Sequence, residues 1–128
     1  MPQIVFKGTV FSSNGEGRKF VDLPWVKRQI QEKVGFTPYA GTLNIRLSKE
    51  SEKQKTLLKN AAQLVICPEK GYCTGIVIKA QVGKLECAVI LPQIPNYPVD
   101  VLEVIAPWCL RERLMLVDGS AVTVTVNV

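Results

Sequence analysis

The stretch Thr74-Gly75-Ile76-Val77-Ile78-Lys79-Ala80-Gln81-Val82-Gly83-Lys84-Leu85-Glu86-Cys87-Ala88-Val89-Ile90-Leu91 decides the fold class. Thr74–Val82 and Leu85–Leu91 are dense in β-branched and apolar residues, and the tight turn Val82-Gly83-Lys84 joins them, so they read as two paired strands. Working outward, Gln63–Cys67 reads as a strand before them and Val101–Ile105 as one after. Pro92, Pro95 and Pro98 mark an irregular loop between, since proline cannot donate to a central ladder. Gln3–Ser12 is an opening strand interrupted at Gly8. Ala121–Val128 closes the chain with Val122, Val124, Val126 and Val128 in alternation, after the turn signal Asp118-Gly119.

Two segments have helical character. Leu23–Val34 places Trp25, Val26, Ile30 and Val34 at helical spacing, with Pro24 in the first turn and Gly35 as a stop. Ser48–Ala62 is charged at first and then carries Leu57, Leu58, Ala61 and Ala62; Ser51 with Gln54 has capping-box spacing. Pro107–Leu114 adds one or two helical turns. Six or seven short strands with two clear helices predict a mainly β chain built as a small closed barrel rather than a parallel α/β sheet.

With 128 residues, 47% of them hydrophobic and 21% charged, the chain reads as one folded domain over residues 1–128. No apolar run approaches the roughly 20 residues of a membrane span, and no signal-peptide pattern opens the sequence, so a cytoplasmic protein without a membrane partner is expected. The net charge of +5 favours anionic ligands, yet the 16 basic residues are dispersed as a solvated surface would have them. Cys67, Cys73, Cys87 and Cys109 show no C-x-x-C spacing and there is no histidine, which argues against structural zinc. The missing histidines exclude Ser-His and Cys-His nucleophiles and a histidine base. Chemistry here must use carboxylates, hydroxyls, amides, cationic side chains, backbone donors or a metal.

Three constellations qualify. In Ser13-Asn14-Gly15-Glu16-Gly17-Arg18 two glycines let backbone N–H groups turn toward an anion beside a fixed positive charge; a plain turn is the alternative. In Thr42–Leu47, Thr42, Asn44 and Arg46 share one face and Leu43, Ile45 and Leu47 the other. Thr42 and Asn44 are hard oxygen donors suited to magnesium, or they are a wet strand face after the constrained approach Pro38-Tyr39-Ala40-Gly41. Third, Glu103 interrupts an apolar stretch and shares a face with Val101 and Ile105; it either reaches the rim of the barrel or serves a function. Arg111, on the short helix after it, either covers phosphates or sits on the surface.

Five segments in order resemble the archaeal CTP-dependent riboflavin kinase family. They are Gly8-x-Val10-x-Ser12-x-x-Gly15-Glu16-Gly17; Phe36-x-Pro38-Tyr39-x-Gly41-Thr42-Leu43-Asn44; Tyr97-Pro98-x-Asp100-Val101; Leu102-Glu103-x-Ile105-Ala106-Pro107-x-x-Leu110-Arg111; and Leu116-x-Asp118-Gly119-x-x-Val122. The second and fourth are the specific ones. The resemblance implies a six-stranded cradle-loop β-barrel that phosphorylates riboflavin to FMN at the expense of CTP, leaving CDP; a monomer is expected. It implies that Ser13, Asn14, Gly15, Glu16, Gly17 and Arg18, with Trp108, Cys109, Leu110 and Arg111, hold the nucleotide. Thr42 and Asn44 would hold Mg²⁺, and Glu103 would meet the flavin's ribityl or phosphate side. Because Glu103 is the carboxylate of these motifs that sits in an apolar setting, it is expected to orient and deprotonate the acceptor hydroxyl.

The chain departs from that pattern in places. Ser13 stands where glycine is usual, Asn14 where a more apolar residue is, and Ala40 where proline is frequent. Pro95 occupies a flavin-binding position usually held by a small hydroxyl residue, so weaker FMN binding is expected. Two other classes compete with the kinase. One is a flavin- or nucleotide-binding barrel without turnover; the other is a swapped-hairpin DNA-binding barrel. The second ranks low because no basic cluster interleaved with aromatics and no basic recognition helix is present, so no nucleic-acid partner is expected.

Overall fold

The strand pair at the centre of the sequence forms as read: Gly75–Val82 and Leu85–Pro92 are antiparallel with Val82 opposite Leu85. The computed structural model describes residues 3–13 and 16–128. Its strands are β1 (Gln3–Phe11), β2 (Leu43–Leu47), β3 (Leu64–Ile66), β4 (Gly75–Val82), β5 (Leu85–Pro92), β6 (Val101–Ile105) and β7 (Ala121–Asn127). Their order is β3-β4-β5-β6-β2-β1-β7, all pairings are antiparallel, and β7 returns to β4 through Gln81↔Thr125 and Val82↔Val124. That return closes six strands into a barrel. The seventh, β3, takes the other end of the same β4 edge, with Ile66 opposite Gly75.

Strict alternation fills the barrel. Phe6, Val10, Ile45, Ile78, Val89, Leu102, Val104 and Val124 are all at most 2% exposed and belong to one interior cluster. Gly8 is the one point where β1 needs a missing side chain, because a Cβ there would stand 2.3 Å from the Arg46 carbonyl oxygen. The strand runs unbroken through it, so the expected interruption is a close crossing of backbones.

The outer face has its own apolar layer, covered by α1 (Glu16–Val21) and α2 (Pro24–Val34). Val21, Trp25, Val26 and Ile30 cluster with Ile66, Val77, Ala88, Ile90 and Ile105. Burying Val26 and Ile30 contributes roughly 3–6 kcal/mol, more than an 11-residue helix gains from propensity. The α2 boundaries agree with the sequence pattern, and Gly35 is the left-handed C-cap.

Two local expectations are corrected. The glycine loop or turn read over Ser13–Arg18 gives way at Glu16 to α1, whose Val21 is fully buried. A six-residue helix containing Gly17 has almost no local signal, and tertiary burial of its end holds it. Ser51 is not the cap of the second helix. That helix, α3 (Lys49–Gln54), is capped by Ser48, which accepts from the Ser51 N–H at 3.2 Å. Ser51 is buried and its hydroxyl accepts from the Lys7 N–H at 2.7 Å, tying α3 to β1. Lys55–Asn60 then continues as a 3-10 helix, and α4 (Leu110–Arg113) is a single turn. Among the described residues no helix is long and apolar enough to cross a membrane.

Candidate active site

One row of outward side chains runs across the sheet through Phe11, Asn44, Glu103, Ile90 and Val77, each directly opposite the next. Ile90 and Val77 lie beneath the helical layer. Asn44 and Glu103 lie just beyond it, on the floor of a cleft of about 840 Å³. Thr42 and Arg46 share that floor, as the alternation of β2 requires. Phe20 and Tyr72 stand on one wall and Ile94 and Tyr97 on another. Trp25 packs edge-on against Phe20 and Tyr72, at ring-centre distances of 5.9 and 5.3 Å, which stiffens the aromatic wall from behind.

The floor residues are bonded to one another. Thr42 Oγ1 lies 3.1 Å from Glu103 Oε1 and 3.4 Å from Asn44 Oδ1. It has one proton to give, and the shorter contact to the carboxylate takes it. Tyr97 donates its hydroxyl to the other carboxylate oxygen, Glu103 Oε2. Asn44 Nδ2 donates to Ser13 Oγ at 3.3 Å and to its neighbour's carbonyl, Thr42 O, at 3.3 Å. Its amide oxygen is thereby directed toward Thr42. Glu103 and Asn44 are each only 8% exposed, so these bonds are made largely out of water.

Behind Tyr97 stands Lys55. Its ammonium lies 5.4 Å from the centre of the Tyr97 ring and donates to the Val101 carbonyl at 2.9 Å. Burial lowers the Lys55 pKa, opposed by the negative charges of Asp100, Glu52 and Glu103. The Tyr97 phenol is pushed well above its ordinary value, first by burial and then by its bond to Glu103, so it stays a proton donor.

A second, smaller notch of about 70 Å³ lies beside the cleft and shares Thr42 with it. Its lining includes Trp108, Cys109, Leu110 and Arg111. Arg113 stacks over the Trp108 ring at 4.5 Å and holds that ring in place. Arg111 donates to Asp118 Oδ1 at 2.7 Å and to the Phe11 carbonyl at 3.1 Å, bracketing α4 to the end of β1. That guanidinium, with Ser12, holds the exposed Asp118 carboxyl below its usual range. On the approach to β2 the Tyr39 N–H donates to the Ala106 carbonyl at 2.7 Å, and Gly41 adopts φ 141°, which a side chain would resist.

Thr42, Asn44, Ser13 and Glu103 therefore meet at one place, and Trp108 to Arg111 meet beside it. Glu103 is on the cleft floor rather than the barrel rim. Glu16, Gly17 and Arg18 begin α1, while Asn14 and Gly15 lie outside the described residues. Pro95 is exposed on the loop that forms one wall, between the cleft residues Ile94 and Tyr97. The sequence reading assigned no role to Tyr97 or Lys55. Tyr97 stood inside a matched segment, and that was its only signal. Lys55 is one of several lysines in a charged helix and had none. Of the free cysteines, Cys87 is buried, Cys67 and Cys73 are exposed and Cys109 is half-buried.

The family model of CTP-dependent riboflavin kinases (CTP-dep_RFKase, described as "Domain of unknown function DUF120") matches residues 10–126. The chain belongs to the CTP-dependent riboflavin kinase family. Among its relatives are proteins named riboflavin kinase from Archaeoglobus fulgidus, 40% identical over 96% of this chain and 54% of the relative, and from Methanosarcina barkeri, 36% identical over 92% and 54%. Another, from Saccharolobus solfataricus, is 37% identical over 98% of this chain and 75% of its own length. The chain spans about half the length of the first two. Magnesium takes as few as one or two protein oxygens beside waters and substrate phosphates; among the described residues no group of three or more His, Cys, Asp or Glu suited to a metal occurs. Thr42 Oγ1 and Asn44 Oδ1 fit that role: they are 3.4 Å apart, against about 3 Å for neighbouring ligands of an octahedral Mg²⁺.

Proposed function

We propose that this family member transfers the γ-phosphoryl group of CTP to the 5′-hydroxyl of riboflavin, giving FMN and CDP, with Mg²⁺ assistance. The observation that carries the reading is Glu103: a nearly buried carboxylate on the floor of a flavin-sized cleft, bonded to Thr42, which also borders the second notch. Phosphoryl transfer needs two substrates aligned across a shared boundary, and Thr42 is that boundary.

In this reading the isoalloxazine ring lies against Phe20 and Tyr72 with the ribityl chain directed at Glu103. The nucleotide occupies the side bordered by Ser13, the start of α1 and Trp108 to Arg111. Glu103 accepts a hydrogen bond from the 5′-hydroxyl and takes its proton as that oxygen bonds to the γ-phosphorus. The bond from phosphorus to the β-γ bridging oxygen breaks, and CDP leaves with its electron pair. Mg²⁺ held by Thr42 and Asn44 would neutralise charge on the phosphates. Thr42, by giving its proton to Glu103, turns its lone pairs toward the Asn44 oxygen and away from the carboxylate.

The test is direct. The protein is incubated with riboflavin, Mg²⁺ and each of CTP, ATP, GTP and UTP, and FMN is measured. FMN with CTP alone is the expected result. Flavin binding without FMN would assign a binding barrel instead, and salt-sensitive DNA binding with neither would assign the third class.

A further inference from the structure

We infer that Tyr97 is a positioning residue that acts through Glu103 and couples the 93–99 wall of the cleft to the carboxylate. The inference rests on the kinase reading for what Glu103 does, and on geometry alone for what Tyr97 does to it. Residues 93–99 form an irregular loop in which every residue but Tyr97 is exposed. Asn96, just before it, takes φ 62°, a left-handed conformation asparagine tolerates and which turns the chain inward. The tyrosine ring then lies under the Lys55 ammonium, and its hydroxyl ends on Glu103 Oε2. Lys55 is itself fixed on the Val101 carbonyl, two residues before Glu103 on the same strand. Ring, cation and carboxylate therefore form a closed set anchored on β6.

The consequence is specific to orientation. A carboxylate held at one oxygen only can rotate about its last bond. Thr42 on Oε1 and Tyr97 on Oε2 hold it at both, leaving the remaining lone pairs fixed relative to the cleft. A hydroxyl acceptor entering the cleft meets a base that is already aligned, which is where positioning gains rate. Movement of the 93–99 wall would be felt at Glu103 through a single hydrogen bond.

A double-mutant cycle tests this, using Tyr97→Phe, Glu103→Gln and the two combined. Phenylalanine keeps the ring, its packing and its contact with Lys55, and removes only the hydroxyl. The expected result is a fall in kcat of about tenfold or more for Tyr97→Phe with the KM for CTP unchanged, and less than about twofold further loss when Glu103 is already glutamine. Equal losses in both backgrounds, or a kcat within twofold of wild type, overturn the inference. A fall in kcat matched by an equal rise in the KM for CTP also overturns it, because that pattern indicates general loosening. If the wild type binds riboflavin but makes no FMN, the kinase reading fails by itself. The same four proteins are then titrated with riboflavin by fluorescence quenching; non-additive losses of affinity support the inference and additive ones overturn it. A wild type that binds no riboflavin overturns both.

Discussion

Ile90 and Glu103 are direct neighbours on the outer face of the barrel and both border the cleft, yet what packs against them differs. Ile90 lies under α2 in a wholly apolar layer with Val77, Ala88 and Ile105. Glu103 lies where that layer ends, bonded to Thr42 and Tyr97 beside Asn44. The strands are the same, and so is the pleat. What differs is whether a helix covers them. The covered half can be apolar because Val26 and Ile30 fill the space above it. In the open half, polar groups are satisfied by one another and presented to a cleft.

That contrast can be broken from either side. On the open side, Glu103→Gln should lower kcat by about 10²–10⁴ while leaving the KM for CTP nearly unchanged, measured by steady-state FMN formation; unchanged turnover removes the base assignment. On the covered side, Ile30→Ala should cost about 2–5 kcal/mol in denaturant unfolding, with kcat per folded molecule preserved. A loss of kcat there would mean that the two halves are not separable. Asn44→Ala returns to the open side: Mg²⁺-dependent activity should fall at least about 100-fold with little change in the unfolding midpoint. Titration calorimetry of Mg²⁺ in the presence of CTP checks it independently of turnover.

The barrel interior offers a control for the outer face. Cys87 is buried there, and chiefly through the resulting desolvation its thiol is pushed from 9.0 up to about 12. The folded value is the higher one, so the unfolded chain loses this proton first as the pH rises. Stability from this group is intact below about pH 9 and is lost progressively toward about pH 12, amounting to about 2 kcal/mol near pH 10.5. Cys87→Ala should flatten that alkaline fall in a series of melting curves, whatever its effect at pH 7. The smallest effect belongs to the exposed wall. Pro95→Thr restores a hydroxyl donor and should tighten FMN binding by about 0.5–1.5 kcal/mol, read by fluorescence titration. No change would mean that position 95 does not reach the flavin phosphate.

Much of this was legible in residue order. The alternation in Thr42–Leu47 placed Thr42, Asn44 and Arg46 on one face correctly, and the isolation of Glu103 among apolar residues marked it out. The capping serine was displaced by three positions because Ser48 and Ser51 look alike locally; only the Lys7 N–H, 44 residues away, decides that Ser51 is engaged elsewhere. Helix α1 escaped for a related reason, since its stability comes from burying Val21 and not from its own sequence. Tyr97 and Lys55 carried no periodic signal, because a loop and a charged helix have none.

By itself, then, the order of residues determined the strands, the closed-barrel class, the helix over Pro24–Val34 and the polar face of β2. Each of those follows from short-range periodicity, which the chain carries within a few residues. Only the tertiary structure decided which part of the outer face stays open, and that Tyr97 and Thr42 grip opposite oxygens of one carboxylate. Those outcomes depend on contacts between residues 6 and 61 positions apart, made when the sheet closes and fixes where each strand's face looks.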